Sequence, residues 1–286
     1  MRFTFLGTSA SEGYPNAFCG CENCEKARQA GGPSLRKRCA ALIDGELLID
    51  LGPDLMAASM QHGISLAKLR YCLQTHEHSD HLDPSHFGSR SPACGVVGAP
   101  RLQYYASQNA IQRAARILRG EDPQMGLLDA TVGDRLNLDV HVVQPFQRFE
   151  VGPYQVQSLK ANHAYETIAM LYLIERDGKR IFYGTDTGVM PQETWDALEQ
   201  VGKACALVVL DHTFGFNHQK RGTTHLNVDE FLEQVARLRS IGIIGASTRV
   251  FATHFGHHSN PTHPELVRFA AEHDYEVAYD GLTLEL

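Results

Sequence analysis

Apolar positions along the chain fall into short, strand-length runs. RFTFLG (2–7) alternates, and ELLIDLG (46–52), YCLQTH (71–76), YQVQSLKA (154–161), IAMLYLIE (168–175), RIFYGT (180–185), ALVVLD (206–211) and RVFATH (249–254) are rich in β-formers. Helical periodicity occupies the gaps at about 22–30, 54–61, 102–119, 192–201, 227–239 and 264–273. Asp44-Gly45 and Asp177-Gly178 are two-residue hairpin signals, so neighbouring strands there run antiparallel.

Hairpins exclude an all-parallel doubly wound sheet. Helices spread between strands to the end of the chain predict an α/β protein with two mixed sheets and helices on the outer faces. No repeat, low-complexity tract or Pro/Ser-rich hinge divides residues 1–286, which predicts a single domain. Residues 92–135 stand apart. Their Arg-studded QNAIQRAARILRG (108–120) and the following EDPQMG predict an excursion from the sheets, a lid over the site or a contact in a homodimer, with a plain solvated helix face as the alternative.

Charge narrows the partners. The 26 Lys and Arg against 33 Asp and Glu leave a net −7, which argues against a nucleic-acid-gripping surface and requires positive charge to be supplied locally for any anionic substrate. No run of about 18 apolar residues exists, and the first residues alternate like a strand, which predicts a cytoplasmic protein with no membrane partner. The seven cysteines fit a reduced compartment: Cys19, Cys21 and Cys24 cluster, while Cys39, Cys72, Cys94 and Cys205 are expected as core thiols.

The densest chemistry lies in THEHSDHLDP (75–84), just beyond a strand. Alternate residues of extended chain point the same way, so His76 and His78 converge on one ion, and Asp80 with His81 on a neighbouring one as the chain turns. Imidazole with carboxylate suits zinc, manganese or iron and not magnesium or calcium. Three further candidates, His163, Asp186 and His254, each follow an apolar strand, and together they complete a dinuclear set in which Asp186 has two oxygens with which to bridge.

The order H-x-H-x-D-H, then a lone His, a lone Asp and a final His resembles the metallo-β-lactamase-fold hydrolases. That resemblance implies an αββα sandwich with two metals at one edge of the sheets, held by His76, His78, Asp80, His81, His163, Asp186 and His254. It does not specify a substrate, because many chemistries share the fold.

FCGCENCEKA (18–27) adds three thiolates in six residues, too close for three disulfides and suited to wrapping zinc at a helix start. His257 is the predicted fourth ligand, with His258 the neighbouring alternative and a redox or reactive-thiol role the competing one. Together with the LGT opening, LRKRCAALI, GTDTG, THLN and TH-x-x-H, the chain resembles one branch, the cyclic phosphodiesterases of the carbon–phosphorus lyase pathway, and departs from it at 92–135. That resemblance implies a structural zinc on Cys19, Cys21, Cys24 and His257, and makes His225 an active-site acid.

The expected function is hydrolysis of a cyclic sugar phosphate. Two ions would activate a water for attack on phosphorus, Asp80 would hold one of them and orient that water, and His225 would protonate the departing ribose oxygen. Arg36, Lys37 and Arg38 would attract the phosphate if their loop turned toward the metals; otherwise they form a solvated edge. The alternatives are another hydrolase of the fold (a tRNA-processing nuclease, a lactonase or a cofactor-biosynthesis homologue) or a non-catalytic zinc-bearing binding module.

Overall fold

The computed structural model describes residues 1–120 and 126–286. The first half of the chain forms β1 (Arg2–Gly7), α1 (Glu22–Ala30), β2 (Ala40–Ile43), β3 (Leu47–Ile49), α2 (Leu55–His62), β4 (Tyr71–Leu73), α3 (Ser85–Ser89), β5 (Leu102–Ala106), α4 (Gln108–Leu118), α5 (Ala130–Leu136) and β6 (Leu138–Val142). The second half forms β7 (Arg148–Val151), β8 (Tyr154–Lys160), β9 (Met170–Arg176), β10 (Lys179–Gly184), α6 (Gln192–Glu199), β11 (Leu207–Asp211), α7 (Val228–Ser240), β12 (Arg249–Thr253), α8 (His263–Ala271), β13 (Glu276–Val277) and β14 (Thr283–Glu285).

Two seven-stranded mixed sheets result, ordered β14-β1-β2-β3-β4-β5-β6 and β13-β12-β11-β10-β9-β8-β7. Both hairpin signals are realised. Asp44-Gly45 joins β2 to β3 and Asp177-Gly178 joins β9 to β10, with both residues of each turn at positive φ, the geometry that matches strand twist. Side-chain alternation then sorts the core into layers. Phe3, Phe5, Ile43, Ile49, Tyr172, Ile174, Ile181, Tyr183, Val209 and Phe251 meet between the sheets. Leu42, Leu48, Cys72, Leu102 and Tyr104 face the outer helices of the first sheet, and Phe182, Val208, Leu210 and Ala252 those of the second. The predicted two-sheet α/β architecture with outer helices is the observed one.

Three expectations change. The helix predicted over 102–119 is strand β5 followed by α4, separated by Ser107, whose side chain caps the helix. Only the second part has helical periodicity; Leu102, Tyr104 and Ala106 alternate inward. Because β5 lies between β4 and β6, that part of 92–135 is an interior strand and not an excursion. Of EDPQMG, all but Gly126 lies outside the described residues. Cys39, Cys72 and Cys205 are buried as expected, but Cys94 is exposed, on a single helical turn over Pro92–Cys94. No helix of the described residues is long and apolar enough to cross a membrane.

Candidate metal centre and active-site cleft

The strand ends of the two sheets converge at one edge. β4 delivers His76, His78, Asp80 and His81 through a tight turn in which the His81 and Leu82 amides both donate to the His78 carbonyl. From the other sheet come His163 after β8, Asp186 after β10, Asp211 at the end of β11 and His254 after β12. Asp50, Asp186 and His254 all sit at positive φ just beyond their strands. Left-handed backbone in a non-glycine residue costs on the order of 1 kcal/mol or more, so the surroundings hold these residues where the chain would not choose to put them.

Asp186 lies between two groups of imidazoles. Its Oδ2 is 2.6 Å from His81 Nε2 and 3.0 Å from His254 Nε2, while its Oδ1 is 3.7 Å from His163 Nε2. His163 Nε2 is in turn 3.0 Å from His78 Nδ1, and Asp80 Oδ2 is 3.1 Å from His81 Nε2 and 3.8 Å from His254 Nε2. His76, His78 and His163 form one group with ligand atoms within 4.8 Å of each other, and His76, His81 and Asp186 another. All seven sequence-predicted residues therefore meet at one place.

The cluster fits divalent cations. The Nε2 atoms of His76, His81 and His254 and the Oδ2 of Asp186 are buried without a hydrogen-bond partner, although they crowd together. Burying orphaned lone pairs is costly, and a shared cation is the species that would satisfy them together. Burial opposes charge on Asp186, but His254 and His81 outweigh it and hold the carboxyl well below its usual range. Burial also keeps His76 well below the ordinary imidazole value, so it presents a neutral ligand.

Behind the ligands lies a shell the sequence reading did not name. His81 Nδ1 donates to Asp50 Oδ2 at 2.7 Å, His76 Nδ1 to Thr75 Oγ1 at 2.9 Å, His254 Nδ1 to Thr213 Oγ1 at 2.7 Å and His163 Nδ1 to the Thr224 carbonyl at 3.3 Å. Each bond commits Nδ1 and leaves the Nε2 lone pair facing the cluster. Gln74 ties the turn down, its Nε2 donating to Asp50 and to the His76 and His81 carbonyls. Asp50 and Asp211 carried the same signal as Asp186, an apolar run ending in aspartate.

His225, in the loop before α7, is anchored by Nδ1 to Asp211 Oδ2 at 2.9 Å, with Asp186 Oδ1 at 3.8 Å. Burial acts to lower its pKa, but Asp211 and then Asp186 outweigh it, raising the imidazole above its usual value. Beside the cluster opens a cleft of about 720 Å³, lined by His78 and Asp80 on one side and by α4 on another.

Cys19, Cys21, Cys24 and His257 form a separate group with ligand atoms within 4.8 Å of each other. His257 Nδ1 is 3.4 Å from Cys24 Sγ and 3.6 Å from Cys21 Sγ. Partial burial acts to raise the Cys21 pKa, but the Cys24 backbone N–H and His257 outweigh it and bring it down to about 6. A thiolate at the start of α1 beside two more sulfurs and an imidazole is a tetrahedral zinc donor set. His258, the alternative ligand, turns its Nδ1 to Glu12 at 3.5 Å instead.

No residue of the basic run lines the cleft. Arg36 is buried, donating to Thr8 and the Ala278 carbonyl, with its guanidinium over the Phe255 ring. Arg38 pairs with both oxygens of Asp54, and Lys37 donates to Gln61. The expectation that Arg36 and Arg38 bind substrate is corrected: Arg36 is a core cation and the Arg38 fork is taken by a carboxylate.

Two mixed sheets stacked inside helices, with carboxylates and imidazoles gathered at their shared edge, define a metallo-β-lactamase-fold hydrolase. The chain belongs to the beta-lactamase superfamily, whose domain model matches residues 46–255. Among solved structures it is similar to a diphosphatase from the PhnP family (23% identity, TM-score 0.73, covering 100% of this chain and 98% of that one). It is also similar to Zn(2+)-bound PqqB from Methylobacterium extorquens (19%, 0.73, 100% of each) and to the short form of human tRNase Z (15%, 0.67, 100% and 99%). No curated protein matches significantly.

Proposed function

We propose that the protein is a metal-dependent phosphodiesterase that opens a cyclic sugar phosphate. What supports this most directly is the buried, unpartnered set His76, His81, His254 and Asp186 beside an anchored His225, at the side of an open cleft. In this reading His76, His78 and His163 hold one divalent ion, Asp80, His81 and His254 hold a second, and Asp186 lies between them. When bound, two ions of the zinc, manganese or iron type supply an activated water and neutralise phosphate oxygens. A third ion, zinc, belongs to Cys19, Cys21, Cys24 and His257 and serves the fold.

His225 is the proton donor. Its Nδ1 is committed to Asp211, so Nε2 is the nitrogen that carries a transferable proton, and the Asp211 carboxylate stabilises the charged ring. A ribose alkoxide leaves poorly without that proton. The net charge of −7 and the small-molecule scale of the cleft favour a sugar phosphate over RNA.

The test compares leaving groups on metal-loaded protein. Wild-type enzyme is expected to hydrolyse bis-p-nitrophenyl phosphate and a ribose cyclic phosphate, and elemental analysis to find zinc, manganese or iron. His225→Ala is expected to keep its metals but lose on the order of 10²–10⁴-fold in turnover of the ribose substrate, and much less with p-nitrophenolate, which needs no proton. Absence of wild-type turnover on both substrates ends the phosphodiesterase assignment; equal losses, or metal depletion in the variant, end the acid role.

A further inference from the structure

The neighbouring parallel strands β11 and β12 each run into a loop that serves the metal centre. The loop after β12 carries two predicted ligands of different clusters, His254 and His257, and ends at α8. At its far end lies Asn260, fully buried and used by neither cluster. Its Nδ2 donates to the His212, Thr213 and Gly256 carbonyls at 3.1, 3.0 and 3.0 Å, and its Oδ1 accepts from His212 Nδ1 at 2.9 Å. One amide thus closes the His254 loop on itself and fastens it to the loop after β11. A buried amide satisfied on both its oxygen and its nitrogen fixes the geometry of every chain it touches.

Both ends of this joint lead to metal ligands. On one side the Thr213 carbonyl is gripped by Asn260 and by the Gly256 amide, and Thr213 Oγ1 in turn accepts from His254 Nδ1 at 2.7 Å. The approach is close: a side chain at Gly215 would lie 2.3 Å from Asn260 Oδ1 and 2.6 Å from the Ser259 carbonyl. On the other side the cysteine segment holds the same loop at two points. Asn23, between Cys21 and Cys24, donates to the His257 carbonyl at 3.0 Å, and Tyr14, ahead of Cys19, donates from its hydroxyl to the Asn260 carbonyl at 2.8 Å. His212 is buried among Phe231, Phe255 and Tyr275 with its Nε2 unpartnered, so its bond to Asn260 is the only side-chain hydrogen bond it makes.

We infer that Asn260, clamped by His212, is a positioning residue for His254, and that it joins the cysteine cluster to the histidine–aspartate cluster as one mechanical unit. Order imposed on the His254 loop from the cysteine side passes through Asn260 to Thr213 and so to the His254 ring. Occupancy of the cysteine site then raises the affinity of the other cluster for its ions, and the coupling acts equally in both directions. The inference rests on the assignment of metal ions to the two clusters and is independent of the phosphodiester chemistry.

Competition with a chelator, dipicolinate, on zinc-loaded protein tests it, with the zinc retained counted by elemental analysis. Wild type is expected to hold both ions of the proposed dinuclear centre and to release the thiolate-bound zinc last. In Asn260→Ala the dinuclear centre should bind zinc about 10- to 100-fold more weakly, the scale for losing a group that orients a ligand, while the thiolate-bound zinc stays. His212→Phe keeps an aromatic ring in the packing and removes the donor to Asn260. It should shift affinity in the same direction by a smaller factor, and it carries the test if Asn260→Ala does not fold. Coupling is read from a double-mutant cycle with Cys21→Ser. That change should weaken the dinuclear centre in the wild-type background and have little further effect once Asn260 or His212 is altered, whereas a merely structural role would let the two losses multiply. Unchanged zinc affinity in both single variants overturns the positioning role, and multiplying losses overturn the coupling. A wild type that holds only the thiolate-bound zinc ends the dinuclear assignment and this inference with it.

Discussion

The imidazole of His225 donates from Nδ1 to Oδ2 of Asp211 at 2.9 Å, and the same oxygen lies 3.4 Å from His254 Nδ1. One buried carboxylate thus braces both the proposed proton donor and a proposed metal ligand. Asp211 itself is held by the Thr213 and Leu226 amides.

Asp211→Asn is expected to lower turnover by about 10–100-fold, the usual scale for loss of a group that orients a ligand or catalytic imidazole. The loss should be greater for a ribose leaving group than for p-nitrophenolate. Steady-state kinetics on both substrates, with metal content measured in parallel, checks it; full activity would show that His225 needs no brace.

His76→Ala and Asp186→Asn are expected to abolish hydrolysis and reduce bound metal while leaving the fold intact, because these side chains close a sheet edge and do not fill the apolar layers. Circular dichroism and elemental analysis of the purified variants are the check. Near-wild-type turnover from either would remove the dinuclear assignment.

Cys21→Ser should release about one equivalent of zinc and lower the melting temperature, since soft thiolates favour zinc and its binding is coupled to folding. His257 and His254 share one loop, so loosening His257 should also raise sensitivity of activity to chelators. A variant with full zinc and an unchanged melting temperature would rule out a structural zinc there.

Asp280 supplies a pH dependence away from the metals. Burial, partly offset by the Lys37 amide and the Thr8 hydroxyl, raises its pKa to about 6. The folded state therefore favours the protonated acid, so its stabilising contribution is complete below the unfolded value near 3.8 and is lost as pH rises through about 6. The unfolding free energy of wild type relative to Asp280→Asn should fall by about 2.4 kcal/mol between pH 4 and 7, most of what a shift of about two units implies. Urea titrations across that range measure it; a flat difference would contradict the raised pKa.

Local chemistry made much of this protein legible in one dimension. Two-residue periodicity and the two Asp-Gly turns determined strands and hairpins, because backbone twist and side-chain alternation are properties of neighbouring residues. H-x-H-x-D-H and C-x-C-x2-C announced their donor sets because the ligands lie within a few residues of each other.

What the tertiary structure decided depends on pairs far apart in the chain. Asp50 on His81, Asp211 on His225 and Asp54 on Arg38 are partnerships between strand ends or loops, and an aspartate's neighbours in sequence do not say which imidazole or guanidinium it will meet. Arg36, Arg113 and Arg116 read alike as basic residues, yet sheet packing buries the first and helix α4 presents the other two to the cleft. The charge a cleft displays is set by which cations the fold leaves unpaired, and pairing is decided only when both sheets have closed on each other.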